Sequence, residues 1–518
     1  LLSDSVNRAP ERHLLDFAEF KSTNKKNMRT QIIKTTLCAA VSLLALHASQ
    51  AASRPNIVLI MCDDLGYGDV QYLNPENGKI KTPHIDKIAS QGMTFTDAHS
   101  GSSVCTPTRY GLLTGRYSWR TRLQGGVVNG FAPCLIAPDR LTVAGLLKKQ
   151  GYATAIIGKW HLDFQYQDPK TGKILPKKGR APIGTIIPDG PTHRGFDYFH
   201  GNHHAKSMDT IIENGKVIER LDEISNLPRL TEKSVAYIKE RAESPEQPFF
   251  LYVPLGSPHT PILPTKEWQG KSGLGDYADF VMQTDATVGS ITAALQEHGF
   301  ADNTLLIFTS DNGCSKEADI PGLRKQGHYV SAQYRGSKAD IWDGGHRVPF
   351  LVRWPSTVEA GSRCDQLITL VDVFATASEI TGEKATDMAE DSVSFLPALS
   401  AQPIASTRKG VIHHSVSGHF AYRQGKWKLI LAKASGGWSS PNEREVGGDA
   451  PQAQLYDMEK DPGEQNNLYL THSEVAQQLL ADLTADIQSG RSTDGPEAKN
   501  DVENIVIWKS QRRKNKEK

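Results

Sequence analysis

Three carboxylates, one carboxamide and one cysteine in this sequence have the spacing to do chemistry together. Asp63 and Asp64 close the apolar run Asn56–Cys62, and Asp311 and Asn312 follow a second apolar run, Thr304–Thr309. Hard oxygen donors of this kind select Ca²⁺ or Mg²⁺ over zinc. Three crowded carboxylates repel one another unless a divalent cation is present. Singly, Asp and Asn after strands are ordinary turn residues; two such pairs at the ends of two buried runs point to a metal. Cys105 stands in Ser102–Arg116, SSVCTPTRYGLLTGR, two residues before Pro107 and four before Arg109. Proline suits the first turn of a helix. A helix starting near Cys105 puts Cys105 and Arg109 on one face. Its free N–H groups favour an anion, and a thiol beside them and a guanidinium is expected to ionise readily. A buried structural cysteine and an unmodified thiol nucleophile are the alternatives.

C-T-P-T-R followed by L-L-T-G-R resembles the signature of the type I, formylglycine-dependent sulfatases, arylsulfatase-like members of the alkaline phosphatase superfamily. The resemblance covers nearly all of Arg54–Leu468. It includes D-D at 63–64, G-K-W-H at 158–161, S-P-H-T-P at 257–261, D-N-G at 311–313, R-G-S-K at 335–338 and the run Leu455–Leu468. It implies that Cys105 is oxidised to formylglycine by a generating or maturase enzyme acting before folding, and that the aldehyde hydrate attacks sulfur. It implies a metal, calcium rather than magnesium, held by Asp63, Asp64, Asp311, Asn312 and residue 105. Lys159 and Lys338 would pair with sulfate oxygens. His161 would take a proton from the hydrate as sulfate leaves, and His259 would give one to the departing alcohol; histidine titrates near neutral pH. Arg109 would hold the hydrate's oxygens, for which its fork is suited. One departure is Asp163, where glycine is frequent; it is expected to touch a loop and no catalytic atom.

The implied substrate is a sulfated carbohydrate, with galactose or N-acetylgalactosamine units as the narrower expectation. His200, His203 and His204, in G-F-D-Y-F-H-G-N-H-H, form a polar cluster that lines either a sugar pocket, with His203 and His204 as substrate contacts, or a solvated loop. Two other readings stay open: a phosphonate monoester or phosphodiester hydrolase of the same superfamily, and a non-catalytic relative that binds sulfated glycans.

The elements that must position these residues alternate. Asn56–Cys62, Met93–His99, Tyr152–Ile157, Pro248–Val253, Thr304–Thr309 and Pro349–Arg353 read as strands. Pro83–Gln91, the Cys105 segment, Leu141–Gln150, Leu230–Ala242, Tyr277–Gly299 and Leu370–Gly382 read as helices. Residues 163–195 read as a long surface excursion. After about Ala398 come short strands at Val411–Val416, Phe420–Arg423 and Lys428–Leu431, with Gly418 and Gly425 at turns, then a helix over Val475–Ile487. The predicted class is α/β: a large, mostly parallel mixed sheet flanked by helices, with a smaller C-terminal antiparallel sheet plus helix. The resemblance makes the large part alkaline phosphatase-like.

The chain of 518 residues is long enough for a large core, and its net charge of +1 calls for neither nucleic acid nor a wholly anionic partner. Cys62, Cys134, Cys314 and Cys364 are too scattered for a disulfide scaffold. From Met28, a charged start, an apolar run over Thr35–Leu46 and small residues at Ser49–Ala52 read as a signal peptide, so export to a periplasm or beyond is expected; an N-terminal helix is the alternative. That run is too short to span a bilayer comfortably, and no other stretch is long and apolar enough. The expected divisions are 1–27 upstream sequence, 28–51 signal peptide, 52–398 catalytic domain and 399–518 C-terminal subdomain and tail.

Overall fold

β1, Asn56–Asp63, is buried at every residue because it lies in the middle of a ten-stranded sheet. The computed structural model describes residues 54–176, 181–383 and 387–509; the expected signal peptide and the upstream sequence lie outside them. The other strands of the sheet are Met93–Phe95 (β2), Ala153–Lys159 (β3), Tyr198–Asn202 (β4), Thr210–Glu213 (β5), Lys216–Arg220 (β6), Phe249–Pro258 (β7), Thr304–Ser310 (β8), Phe350–Arg353 (β9) and Ser362–Cys364 (β10). Their order in space is β10-β2-β9-β8-β1-β7-β3-β4-β5-β6. The run β8-β1-β7-β3-β4 is parallel throughout, and antiparallel pairs lie toward both ends.

Period-two alternation divides β1 between two cores. Ile57, Leu59 and Met61 face helices Cys105–Thr114 (α1), Val143–Lys149 (α2) and Val373–Ile380 (α3). Val58, Ile60 and Cys62 face helices Pro83–Ser90, Asn226–Arg241 and Asp276–Glu297. A strand covered on both sides reads as an unbroken apolar run, which is what the sequence shows. No helix among the described residues is long and apolar enough to cross a membrane.

The structure departs from the sequence reading in several places. The run Met93–His99 breaks into β2 and a short strand, Ala98–His99, that pairs with Ile368–Thr369. The helix expected from Leu370 opens as a 3₁₀ turn, because the Asp372 carboxylate takes the Thr369 N–H at 2.9 Å. The hairpin β5–β6 was not anticipated, although Asn214-Gly215 between β-branched runs is its signal; both residues have positive φ. Residues 163–195 are no free excursion: Phe164, Tyr166 and Ile187 enter the core, and Ile186 bridges to Gln167 and Lys216.

A four-stranded antiparallel sheet of Val411–His414, Phe420–Gln424, Trp427–Ile430 and Gln454–Asp457 follows, and helix Ser473–Gln488 packs on it. Its last strand was missed in the sequence. The sheet reaches the Cys105 segment directly: the His414 carbonyl accepts the Ser103 N–H at 3.0 Å and the Ser102 hydroxyl at 2.8 Å.

Candidate active site

Four adjacent parallel strands end on one edge, and each delivers a residue there. Asp311 and Asn312 follow β8, Asp63 ends β1 with Asp64 next, His259 follows β7, and Lys159 ends β3. This is the crevice outside the carboxyl ends of the strands, where open α/β sheets hold ligands. α1 begins at Cys105, and all ten of its residues are buried. Pro107 is its third residue, where a missing N–H breaks no bond.

Cations and carboxylates interleave. Arg109 reaches Asp311 Oδ2 from Nε at 3.0 Å and from Nη2 at 2.6 Å, and its Nη1 donates to the Lys159 carbonyl at 3.1 Å. Its Nη2 is also 3.5 Å from Asp63 Oδ2, to which Lys159 Nζ donates. Lys338 Nζ lies 2.5 and 2.7 Å from the two oxygens of Asp64. Asn312 Nδ2 donates to Asp64 Oδ1 at 2.7 Å, and His259 Nε2 faces Asp64 Oδ2 at 3.6 Å. Arg109 is therefore engaged by carboxylates rather than left open toward residue 105. The expectation that the carboxylates need a cation to coexist also changes: Arg109, Lys159 and Lys338 already balance Asp63, Asp64 and Asp311.

The set nonetheless fits a hard cation. Asp63 Oδ1 and Asn312 Oδ1 are buried acceptors without a hydrogen-bond partner, an arrangement that costs free energy unless something else satisfies them. One ligand atom each of Asp63, Cys105 and Asp311 lies within 4.8 Å of the others. Burial raises the carboxyl of Asp63, but Lys159, His259, Arg109 and Lys338 outweigh it and hold the group well below the usual range. Asp311 is pushed up, by burial first and then by the charge of Asp63.

The thiol of Cys105 departs from expectation. Burial pushes its pKa up, and Lys159 and Lys338 do not reverse this.

His161 is held by Val128, a buried residue in a loop that the sequence reading did not single out. The Thr106 hydroxyl donates to the His161 carbonyl at 3.0 Å and accepts the Val128 N–H at 3.3 Å. His161 Nε2 lies 3.2 Å from the Val128 carbonyl, which fixes the proton on Nε2 and leaves Nδ1 as a buried acceptor without a partner. Burial, then Lys159 and His203, keep the ring neutral by holding its pKa well below the ordinary value. Asp64 and His161 both sit at positive φ, 66° and 55°, a strained conformation that clusters at functional sites.

His203 and His204 pack their rings against His161, with centroids 5.8 and 5.5 Å away. Both line a cleft of about 470 Å³ with Asn129, Tyr166, Lys206 and Asp209. His203 is buried, and neither of its ring nitrogens has a hydrogen-bond partner. Gly130 lies against it: a Cβ there would come 2.7 Å from His203 Nδ1. His200 does not join them; it pairs with Glu213 on β5 at 3.3 Å. Asp163 does more than touch a loop. At φ 61° it takes the Gly130 N–H at 2.6 Å, and its Oδ1 stands 3.8 Å from His203 Nε2.

The family model described as Sulfatase matches residues 55–383, and one described as N-sulphoglucosamine sulphohydrolase, C-terminal, matches residues 337–492. An N-acetylgalactosamine-6-O-sulfatase of Bacteroides thetaiotaomicron is 32% identical over 489 residues, spanning 83% of this chain and 92% of that protein. Arylsulfatase A of Bos taurus is 32% identical over 476 residues, spanning 84% and 88%. A solved structure described under glycosaminoglycan metabolism by Bacteroides thetaiotaomicron superposes with a TM-score of 0.73 at 30% identity, over 84% of this chain and 99% of that one.

Proposed function

This chain belongs to the sulfatase family and is a sulfuric ester hydrolase, and from that premise we propose that it removes sulfate from a sulfated carbohydrate with N-acetylgalactosamine or galactose units. The observation that carries the reading is the meeting of Asp63, Asp64, Asp311 and Asn312, from two neighbouring parallel strand ends, with Cys105, beside a cleft of about 470 Å³. The similarity to an N-acetylgalactosamine-6-O-sulfatase supports the sugar.

A calcium ion on Asp63, Asp64, Asp311 and Asn312 would polarise the sulfate, and an oxidised Cys105 side chain would supply the attacking hydroxyl. The chain's own residues do the rest. Lys159 and Lys338 neutralise the oxygens of the sulfate ester. His161 Nδ1, the acceptor left by the Val128 contact, takes the proton at residue 105 when sulfate departs. His259 Nδ1 is 2.5 Å from the Thr260 carbonyl and keeps a proton there, while Nε2 faces the site 3.6 Å from Asp64; once the ring is the imidazolium, Nε2 gives up its proton to the leaving alcohol and the ring returns to neutral. Arg109 positions Asp311 and Asp63. His203 and His204 contact the sugar. The segment 28–51 serves as an export signal, delivering the enzyme to a periplasm or the exterior.

The test has two parts: the mass of the Cys105 peptide, and sulfate released from defined sulfated saccharides. An oxidised Cys105 and release from 6-sulfated N-acetylgalactosamine are expected, with none from a Cys105→Ala protein. Faster turnover of phosphonate monoesters or phosphodiesters would replace this reading.

A further inference from the structure

Trp438 is 44% exposed, whereas Trp119, Trp160 and Trp342 are buried. Its backbone is pinned by hydrogen bonds. Asp340, wholly buried, accepts the Trp438 N–H at 2.9 Å and the Ser439 N–H at 3.0 Å through Oδ1, and the Ser337 N–H at 2.9 Å through Oδ2. The preceding Gly437 lies so close that a Cβ would come 2.3 Å from the Ala339 carbonyl. A loop between strands of the C-terminal sheet is thereby fastened to the segment that carries Lys338.

The indole also faces the loop of Asp311 and Asn312. Lys316 Nζ lies 5.2 Å from its ring centroid. Lys316 is four residues beyond Asn312, and four residues of chain reach at most about 14 Å. The Trp438 loop is fastened to Ala339 and Asp340, next to Lys338, whose ammonium meets Asp64, so Trp438 and Lys316 approach the carboxylate set from two segments that themselves supply its residues. They stand on its β8 side, and the cleft of His203 and His204 opens at the end of β4, with β1, β7 and β3 between. An exposed indole offers a flat apolar face, suited to the C–H face of a pyranose. An exposed, flexible ammonium beside it suits an anionic substituent on that ring.

We propose that Trp438 and Lys316 form a second saccharide subsite, in which another sugar of the same chain stacks on the indole and its carboxylate or sulfate pairs with Lys316. The substrate is then an anionic oligosaccharide or polysaccharide and not an isolated sulfated sugar. This rests on the carbohydrate sulfatase reading above.

The experiment compares N-acetylgalactosamine 6-sulfate with a chondroitin 6-sulfate tetrasaccharide, whose neighbouring sugar is a uronate. The ratio of kcat/KM for tetrasaccharide over monosaccharide is measured in the wild type, Trp438→Ala and Lys316→Gln. Trp438→Ala should lower the ratio at least tenfold through KM. Lys316→Gln should lower it at least threefold and flatten its dependence on salt. An unchanged ratio in both variants overturns the proposal while leaving the sulfatase reading intact. Release from neither sugar by protein with oxidised Cys105 removes the proposed substrate; the subsite is then judged by calorimetry on Cys105→Ala protein. A tetrasaccharide Kd at least tenfold weaker on adding Trp438→Ala supports it, and equal affinity or no binding overturns it. Because Asp340 holds the loop through the backbone N–H groups of Trp438 and Ser439 and the Ser439 hydroxyl, and not through the indole, Trp438→Ala keeps these attachments.

Discussion

Arg109 places two nitrogens on one oxygen of Asp311, at 3.0 and 2.6 Å, with both side chains buried. The guanidinium thus acts on the carboxylate set from behind.

Removing it should cost the fold as well as the chemistry. Arg109→Ala leaves Asp311 buried and uncompensated, a loss of about 3–5 kcal/mol for a broken buried pair. Arg109→Lys keeps the charge but not the two-nitrogen contact. Urea titration should rank stability as wild type, then Lys, then Ala. Sulfate release should fall steeply in both variants. A stable Arg109→Ala protein with full activity would contradict the arrangement.

Chelation should abolish activity without unfolding the protein, since the three basic side chains already balance the carboxylates. Calcium at about 100-fold over its Kd should then stabilise the fold by about 2.7 kcal/mol. Thermal melting with EGTA and with added calcium measures this. Asp63→Asn should remove the calcium-dependent shift.

Thr106 ties α1 to both His161 and Val128. Thr106→Val keeps the shape and deletes two hydrogen bonds, worth about 1 kcal/mol each. The melting temperature should drop by a few degrees, and kcat should fall about tenfold as His161 Nδ1 loses its alignment, KM changing less. Thr106→Ser should restore most of the loss.

Away from the site, burial and then Asp391 raise the Asp486 carboxyl to about 7, although the Tyr422 hydroxyl donates to it at 3.0 Å. A raised carboxyl pKa means that the folded state binds the proton more tightly than the unfolded state. Its stabilising contribution is full below about pH 4 and is lost as pH rises through 7. Asp486→Asn should therefore gain stability relative to wild type between pH 5 and pH 8. Melting curves across that range read it directly; a difference that does not vary with pH would refute the assignment.

The sequence made the strand-end residues legible because buried parallel strands write themselves as apolar runs, and Asp63 and Asp311 end two of them. Lys159, Lys338, His161 and His259 carried no such periodic signal and rested on short motifs. The charge balance was hidden, since Lys338 meets Asp64 across 274 residues of sequence and Arg109 meets Asp311 across 202. What Asp163 holds was hidden for the same reason: as expected it touches a loop, but its partner there, the Gly130 N–H, is 33 residues away and invisible to local pattern. His200 looked like one of three clustered histidines, but strand alternation turns it to Glu213, away from the ring cluster.

The interleaving of Arg109, Lys159 and Lys338 with the acidic set separates two events that many metalloproteins fuse. A pocket already neutral within itself lets the polypeptide finish its tertiary structure before any ion arrives. If a cation is held there, its loading is expected to be a late, reversible step, governed by how much of the ion the surroundings hold and not by the course of folding.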